Sequence, residues 1–167
     1  MIRRLTPFHY SVFALALSAA LLIGAWIFQY GFGYAPCQMC YWQRHAHKAV
    51  IAAAALTALW QGLKNARAPL GTSVIILAFL LSAGLALWHV GVEQGLIEAL
   101  PSCMAEAVDI SAITSGDILG SLEKKIKPPS CSEVVWSVFG ISMAGFNALF
   151  SLMGAALGVI ALRGRAG

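Results

Sequence analysis

Two cysteines separated by two residues, Cys37 and Cys40, are the most reactive feature of the sequence. Residues three apart on a helical turn place their Cβ atoms about 5 to 6 Å apart, so a small adjustment allows a disulfide. Pro36 immediately before Cys37 favours a helix that begins at this pair. The dipole of that helix and Arg44, one turn beyond Cys40, would both stabilise a thiolate at Cys40. Such a thiolate stays ionised near neutral pH and leaves readily, which suits thiol–disulfide exchange.

Two further cysteines, Cys103 and Cys131, bring the total to four. Four cysteines allow three disulfide connectivities, and the local pair Cys37 with Cys40 leaves Cys103 with Cys131 as the natural pairing. A structural zinc site is an alternative, because a C-x-x-C pair and two more cysteines can form a tetrahedral thiolate set. The wide separation of Cys103 and Cys131 disfavours zinc. Two inert disulfides that brace a small membrane bundle are a second alternative.

The elements that must position these cysteines are hydrophobic helices. Hydrophobic residues make up 59% of the chain and charged residues 11%, which does not suit a soluble surface and indicates a polytopic membrane protein. Each helical span requires about 20 apolar residues to cross a bilayer core. Four stretches qualify, at about residues 11–29, 46–63, 70–90 and 138–162. The sequence therefore predicts an all-α four-helix transmembrane bundle that forms a single integral membrane domain over residues 1–167.

The second predicted span, 46–63, is the weakest, since it is short and carries His47 and Lys48 at its start. Lys48 can extend its ammonium group to the interface while its methylene groups stay in apolar surroundings. We interpret His45 and His47 as the polar start of this span. The first stretch is long and lacks a small-residue cleavage site after it, which predicts a retained span rather than a cleaved signal peptide.

The basic residues at the ends of the predicted spans orient the bundle, because Lys and Arg are enriched in cytoplasmic segments. Three segments are basic and contain no acid: the one before the first span, the one between the second and third spans, and the one after the fourth span. Their basic residues are Arg3, Arg4, Lys64, Arg67, Arg163 and Arg165. All seven acids lie in the long connection of about residues 91–137. Both termini are therefore predicted to be cytoplasmic. The long loop and all four cysteines then lie on the outer side, and disulfides persist there if that side is a bacterial periplasm.

Three segments around the cysteines carry a resemblance that runs along the whole chain. They are Pro36-Cys37-Gln38-Met39-Cys40 followed by Arg44, Pro101-Ser102-Cys103, and Cys131-Ser132-Glu133 with Trp136, Gly140 and Met143. Together these segments resemble the DsbB family of bacterial inner-membrane disulfide bond formation proteins. A C-x-x-C pair alone is weak evidence, whereas its position before a widely spaced loop pair within four spans is specific. The related vitamin K epoxide reductases have the loop pair before the C-x-x-C, so the order here favours the DsbB family.

The resemblance implies a protein-dithiol:quinone oxidoreductase. Such a protein reoxidises a periplasmic thioredoxin-fold oxidase (DsbA-like) and passes the electrons through two cysteine pairs to ubiquinone or menaquinone. The resemblance implies that the partner attacks the disulfide of Cys103 and Cys131 and forms a mixed disulfide at Cys103. Cys131 then attacks the inner pair, and Cys40 faces the quinone ring.

The resemblance also implies how the remaining residues contribute. Arg44 would hold a quinone oxygen, although a purely interfacial charge is the alternative for this residue. His89 and Met143 are candidates for the wall of the quinone pocket, and for His89 an ordinary interfacial histidine is the alternative. The relay needs a mobile outer loop, with which Gly116, Gly120 and Pro128-Pro129 are compatible. An oxidase for a dedicated partner and a non-enzymatic membrane scaffold remain as other functions.

Overall fold

Four helices form a bundle in the computed structural model, which describes residues 6–64, 68–103 and 129–163. They are α1 (Pro7–Trp26), α2 (Gln38–Lys64), α3 (Pro69–Glu93) and α4 (Met143–Arg163). Helix α2 packs between α1 and α3, and α4 packs against α3 and less extensively against α1. The predicted all-α class is confirmed. The centre of the predicted outer loop, with Gly116, Gly120 and Pro128, lies outside the described residues, as do Arg3, Arg4, Arg67 and Arg165.

Three helices of the described residues are long and apolar enough to cross a membrane. They comprise Pro7–Gly31, Pro69–Glu93 and Met143–Arg163. The predicted spans 11–29 and 70–90 lie within the first two of these helices. Helix α2 contains the predicted span 46–63 but does not reach the same apolar character, because its first turns are polar. Its passage through the membrane therefore stays a prediction, and residues 38–45 of α2 precede the predicted span.

Helix α1 begins earlier than its predicted span because a local cap starts it. Thr6 Oγ1 accepts a hydrogen bond from the backbone N–H of His9 at 3.3 Å, and Pro7 occupies the first helical position. At its other end α1 continues into a π-helical turn, Ile27–Gly31. Such turns are frequent at functional sites. This one carries Gln29, which contacts the site described below.

The predicted start of the fourth span, at residue 138, is wrong, because α4 begins at Met143. The intervening residues form a hairpin in which strand β1 (Ser137–Val138) pairs antiparallel with strand β2 (Ile141–Ser142). The turn residues Phe139 and Gly140 have φ values of 52° and 77°, and positive φ at both central positions defines a type I′ turn. The apolar composition of this segment suggested a helix, whereas its turn geometry produces a hairpin.

Ser142 joins the hairpin to the bundle. Its hydroxyl oxygen accepts a hydrogen bond from the backbone N–H of Gly145 at 3.1 Å and thereby caps α4. The same hydroxyl donates a hydrogen bond to the carboxylate of Glu93, the last residue of α3. This contact fixes the start of α4 beside the end of α3, close to the cysteines.

The opposite end of the bundle has a tightly packed core of small residues around two aromatic rings. Tyr10 and Phe79 are fully buried. A Cβ atom at Gly154 would lie 2.8 Å from the ring of Phe79, and one at Gly158 would lie 2.5 Å from Tyr10 Oη. Small residues let membrane helices approach closely, which is the main source of packing energy between them. This contact fixes α1, α3 and α4 relative to one another.

Candidate functional site

All four cysteines meet at one end of the bundle. Cys37, Cys103 and Cys131 are buried in one apolar cluster, against which Cys40 packs. Each is a free thiol in this structure. The fold thus brings the C-x-x-C pair and the two loop cysteines within one site, although more than 60 residues of sequence separate Cys40 from Cys103.

The inner pair lies at the first turn of α2, where the proline predicts a helix start. The carbonyl of Cys37 accepts the first helical hydrogen bond, from Tyr41 N at 3.3 Å. Cys37 Sγ also accepts a hydrogen bond from the backbone N–H of Cys40 at 3.3 Å, so Cys37 acts as the N-cap. The two Sγ atoms are 2.8 Å apart. A disulfide bond is about 2.05 Å long, so only a small movement separates the dithiol from the disulfide.

The two sulfurs of the inner pair differ in their affinity for a proton. A hydrogen bond from the Cys37 thiol lowers the pKa of Cys40, and the positive charge of Arg44 lowers it further. The same hydrogen bond, together with burial, raises the pKa of Cys37. When the pair loses one proton, Cys40 therefore loses it before Cys37 does. The helix dipole also favours a negative charge at this position in the first turn.

Cys103 and Cys131 lie side by side, as their predicted pairing requires. The backbone N–H of Cys131 donates a hydrogen bond to the carbonyl of Cys103 at 3.1 Å. Burial and the neighbouring Cys131 thiol raise the pKa of Cys103 to about 12. Cys131 also lies close enough to Cys37 to raise the pKa of that thiol through charge repulsion. Cys131 is therefore in reach of both Cys103 and the inner pair.

A cavity of about 370 Å³ adjoins Cys40 and lies between α1, α2 and α4. Small-molecule sites in proteins have volumes of about 300 to 1,000 Å³ and mostly apolar walls with a few placed polar groups. The aromatic part of this wall consists of Phe28, Tyr34, Trp136, Phe146 and Phe150. The ionisable and amide side chains of the wall are Cys40, Gln43, Arg44 and His47 on α2 and Asn147 on α4. The predicted candidate Met143 also lines the cavity.

Arg44 connects α2 to the end of α1. Its guanidinium donates hydrogen bonds to the side-chain oxygen of Gln29 and, at 3.2 Å, to the carbonyl oxygen of Ala25. Gln29 belongs to the π-helical turn, which brings its side chain to the guanidinium. These two contacts hold the positive charge at the cavity wall beside Cys40.

His89 lies on the other side of the inner pair and is not among the residues that line the cavity. Its Nε2 is 3.6 Å from Cys37 Sγ and 3.9 Å from a carboxylate oxygen of Glu93. Its Nδ1 is 2.8 Å from Gln43 Nε2. This position favours a role of His89 beside the sulfur of Cys37 rather than a contact with a carrier in the cavity.

Three polar residues of the cavity wall were not identified as site candidates from the sequence, namely Gln43, His47 and Asn147. His47 was interpreted as part of the polar start of the second span, but it is buried, with 3% of its surface exposed. A signal was present, because Cys40, Gln43 and His47 follow each other at helical spacing and share one face of α2. Asn147 gave no comparable signal, since its partner side chains are distant in sequence.

The zinc alternative can be tested against the hydrogen bonds of this site. The ligand atoms of Cys37, Cys40 and His89 lie within 4.8 Å of one another, as a metal site would require. An amide nitrogen can only donate, so His89 Nδ1 accepts from Gln43 and the hydrogen of the neutral ring is on Nε2. Nε2 faces the thiols, and a metal ligand needs a lone pair there. In this hydrogen-bond arrangement His89 would have to change its tautomer before Nε2 could bind a metal ion.

Fold and site together define a membrane protein with a redox-competent dithiol beside an apolar cavity. The family model for disulfide bond formation protein DsbB matches residues 8–161. The chain therefore belongs to the DsbB family, whose members are membrane proteins of disulfide bond formation. No curated protein and no solved structure gives a match.

Proposed function

We propose that this protein is a quinone-linked thiol oxidase that reoxidises a DsbA-like dithiol oxidase. The observation that carries the proposal is the cavity beside the inner pair, because its wall contains both the Cys40 thiol and the Arg44 guanidinium. A sulfur that can donate electrons and a fixed positive charge thus face the same apolar space. A zinc site or a purely structural disulfide needs neither the cavity nor the charge.

The residues of this cavity fit ubiquinone or menaquinone. Phe28, Trp136, Phe146 and Phe150 provide flat apolar surfaces suited to a conjugated ring. Arg44 provides charged hydrogen-bond donors for a ring oxygen. When bound, a quinone accepts two electrons and two protons and becomes a quinol. Ubiquinone and menaquinone dissolve in the lipid phase, which surrounds a cavity between membrane helices.

The loop pair receives the electrons in the proposed reaction. With Cys103 and Cys131 joined in a disulfide, a thiolate of the partner attacks Cys103, and Cys131 leaves as a thiolate. Cys131 attacks Cys37 in the inner disulfide and expels Cys40 as a thiolate. The second thiol of the partner releases Cys103, which then attacks Cys131, restores the loop disulfide and releases Cys37. The net result is an oxidised partner and a reduced inner pair, with two electrons transferred.

The inner pair then returns to its disulfide. Cys40 is the thiolate that faces the cavity, and Cys37 retains a proton that it must release when the two sulfurs join. Arg44 stabilises negative charge on the Cys40 sulfur and in the adjoining part of the cavity. Two electrons and one proton leave the thiol–thiolate pair in this step, and a second proton from water completes the reduction of one quinone to a quinol.

The proposed location is the bacterial inner membrane, with both termini in the cytoplasm and the four cysteines facing the periplasm. Support for this orientation comes from the basic, acid-free segments at the opposite ends of the spans, including Lys64 and Arg163. A chain of DsbA, DsbB and quinone keeps the bacterial periplasm oxidising, and the proposed reaction is the membrane step of such a chain. The partner is a soluble thioredoxin-fold protein, because it must reach the loop pair from water.

The test is quinone-dependent oxidation of a reduced DsbA-like partner by the purified protein. We expect partner thiols to disappear and quinol to form in equal amounts with a short-tailed ubiquinone or menaquinone. The control is Cys40→Ser, which should abolish quinone reduction but still allow a mixed disulfide between the partner and Cys103. A protein that oxidises no partner with any quinone would be a scaffold, and quinone turnover in Cys40→Ser would refute the assigned role of that sulfur.

A further inference from the structure

Three polar side chains of α2 and α4 contribute to the cavity wall beside Cys40 and Arg44. We call Gln43, His47 and Asn147 the interior polar cluster. Gln43 and His47 are 7% and 3% exposed, and all three residues line the cavity. His47 lies within the predicted second span, and Asn147 is in the second turn of α4. Polar groups at membrane depth are costly and are functional-site candidates for that reason.

The hydrogen bonds of the interior polar cluster run in one direction. Asn147 Oδ1 can only accept, so His47 Nε2 donates to it at 2.6 Å. Asn147 Nδ2 donates to Gln43 Oε1 at 2.6 Å, and Gln43 Nε2 donates to His89 Nδ1 at 2.8 Å. Because Nε2 of His47 carries the hydrogen, its Nδ1 accepts from the hydroxyl of Ser18 at 3.2 Å. Each contact in this direction therefore pairs a donor with an acceptor.

This orientation leaves donors for a ligand. A carboxamide NH2 group carries two hydrogens. The hydrogen bonds of the described residues use one hydrogen of Asn147 and one of Gln43. Each amide therefore has a second N–H, and both residues belong to the cavity wall. Among the contacts of the described residues, Asn147 Oδ1 is engaged by both His47 and Ser151, so this side chain retains a donor rather than an acceptor.

We propose that the interior polar cluster is the second polar end of the quinone site. In this arrangement the second N–H of Asn147 donates a hydrogen bond to the ring oxygen that Arg44 does not hold. Arg44 lies on α2 and Asn147 on α4, and both side chains line the same cavity, so donors reach it from two helices. The inference rests on the proposed function and specifies its ligand as a ring with acceptor oxygens at opposite ends.

The alternative role of the cluster is to hold α1, α2 and α4 together, since polar side chains also join helices within membranes. Ser151 offers a matched control for that role. It is fully buried, its hydroxyl oxygen lies 3.2 Å from Asn147 Oδ1 and 3.1 Å from Ser82 Oγ, and it is not part of the cavity wall. Ser151→Ala thus weakens the same network without removing a donor from the cavity.

The experiment measures quinone binding to the full-length oxidised protein without any partner, so that no turnover occurs. The probes are a short-tailed ubiquinone and an analogue that lacks one ring carbonyl oxygen, and the signal is quenching of tryptophan fluorescence, since Trp136 lines the cavity. Asn147→Ala should weaken ubiquinone binding about two- to tenfold, the effect of one neutral hydrogen bond, and leave binding of the analogue unchanged. Ser151→Ala should bind both probes as the original protein does.

The possible outcomes separate this inference from the proposed function. Absence of quinone binding to the unmodified protein would overturn the proposed function and this inference with it. Normal ubiquinone binding by Asn147→Ala would overturn this inference alone, as would equal losses for both probes, which indicate a purely structural role.

A second measurement needs no variant and decides the question even if Asn147→Ala does not fold. Infrared spectra of bound ubiquinone, labelled with ¹³C at each carbonyl in turn, report hydrogen bonding at each ring oxygen. We expect both carbonyl bands to lie at lower frequency than in lipid. One band at its lipid frequency would overturn the proposal.

Discussion

Replacement of Arg44 by alanine should weaken the apparent affinity for quinone by about tenfold to a hundredfold. A hydrogen bond to a charged group contributes about 1.5 to 3 kcal/mol, and each 1.4 kcal/mol corresponds to a factor of ten. The guanidinium is held at the cavity wall by Gln29 and by the carbonyl of Ala25, so its position does not depend on a bound ligand. We therefore expect the loss to appear mainly in the KM for quinone.

The effect on Cys40 provides a second readout for the same variant. The hydrogen bond from Cys37 makes the largest contribution to the low pKa of Cys40, and the charge of Arg44 makes a smaller one. Arg44→Ala should therefore shift the thiolate absorbance titration of Cys40 to higher pH. Arg44→Lys keeps the charge but loses the planar fork, so it should restore the titration more fully than the KM.

The assay follows quinone absorbance during oxidation of a reduced DsbA-like partner, at a fixed partner concentration and varied quinone. Gln29→Ala is the matched control, because it removes one anchor of the guanidinium and leaves its charge in place. Its KM should rise less than that of Arg44→Ala. If Arg44→Ala changes neither the KM nor the titration of Cys40, then Arg44 is only an interfacial charge and the reasoning is refuted.

Three further predictions follow from the positions of the cysteines and the packing of the helices. Cys131→Ser should accumulate a reductant-sensitive covalent complex between the partner and Cys103 on a non-reducing gel, whereas turnover at the original rate would show that the loop pair is not an obligatory relay. In the reduced protein, the lowered pKa of Cys40 should keep this thiol reactive with iodoacetamide at pH values below the usual pKa of cysteine. Cys103, with a pKa of about 12, should react only at strongly alkaline pH. Mass spectrometry of the labelled sites measures both reactions, and parallel pH dependence of the two would contradict the prediction. Gly158→Ala should destabilise the bundle by about 1 to 3 kcal/mol in thermal unfolding, because its Cβ would lie 2.5 Å from side-chain atoms of α1 and α3. Gly84→Ala is the control and should not destabilise the bundle, since a Cβ there has nothing within 4 Å. Equal unfolding temperatures of the two variants would refute the close packing.

The sequence was sufficient to predict the helices and the place of the inner pair, because both depend on local signals. Long apolar stretches determine spans 11–29 and 70–90, and Pro36 before Cys37 indicates where α2 begins. The start of the fourth helix was misplaced for an equally local reason. Apolar residues on both sides of Gly140 mimic a helix, and only the positive φ of the turn distinguishes the hairpin.

The wall of the cavity could not be predicted in the same way, because it forms where helices meet. His47 acquires its role from Asn147, which lies 100 positions later, and from Ser18 on α1. The contact of Gln29 with Arg44 depends on a π-helical turn that hydrophobic periodicity does not reveal. Burial converts these ordinary polar residues into a site, and burial is a property of the tertiary packing.

The most direct test of the central claim is a single turnover of the inner pair with quinone. A Cys103→Ser, Cys131→Ser double variant is fully reduced, freed of reductant and mixed with excess short-tailed ubiquinone under anaerobic conditions, without partner. We predict that each protein molecule forms one quinol and that Cys37 and Cys40 become resistant to alkylation as their disulfide forms. If quinone binds but no quinol appears and both thiols can still be alkylated, the inner pair does not deliver electrons to quinone.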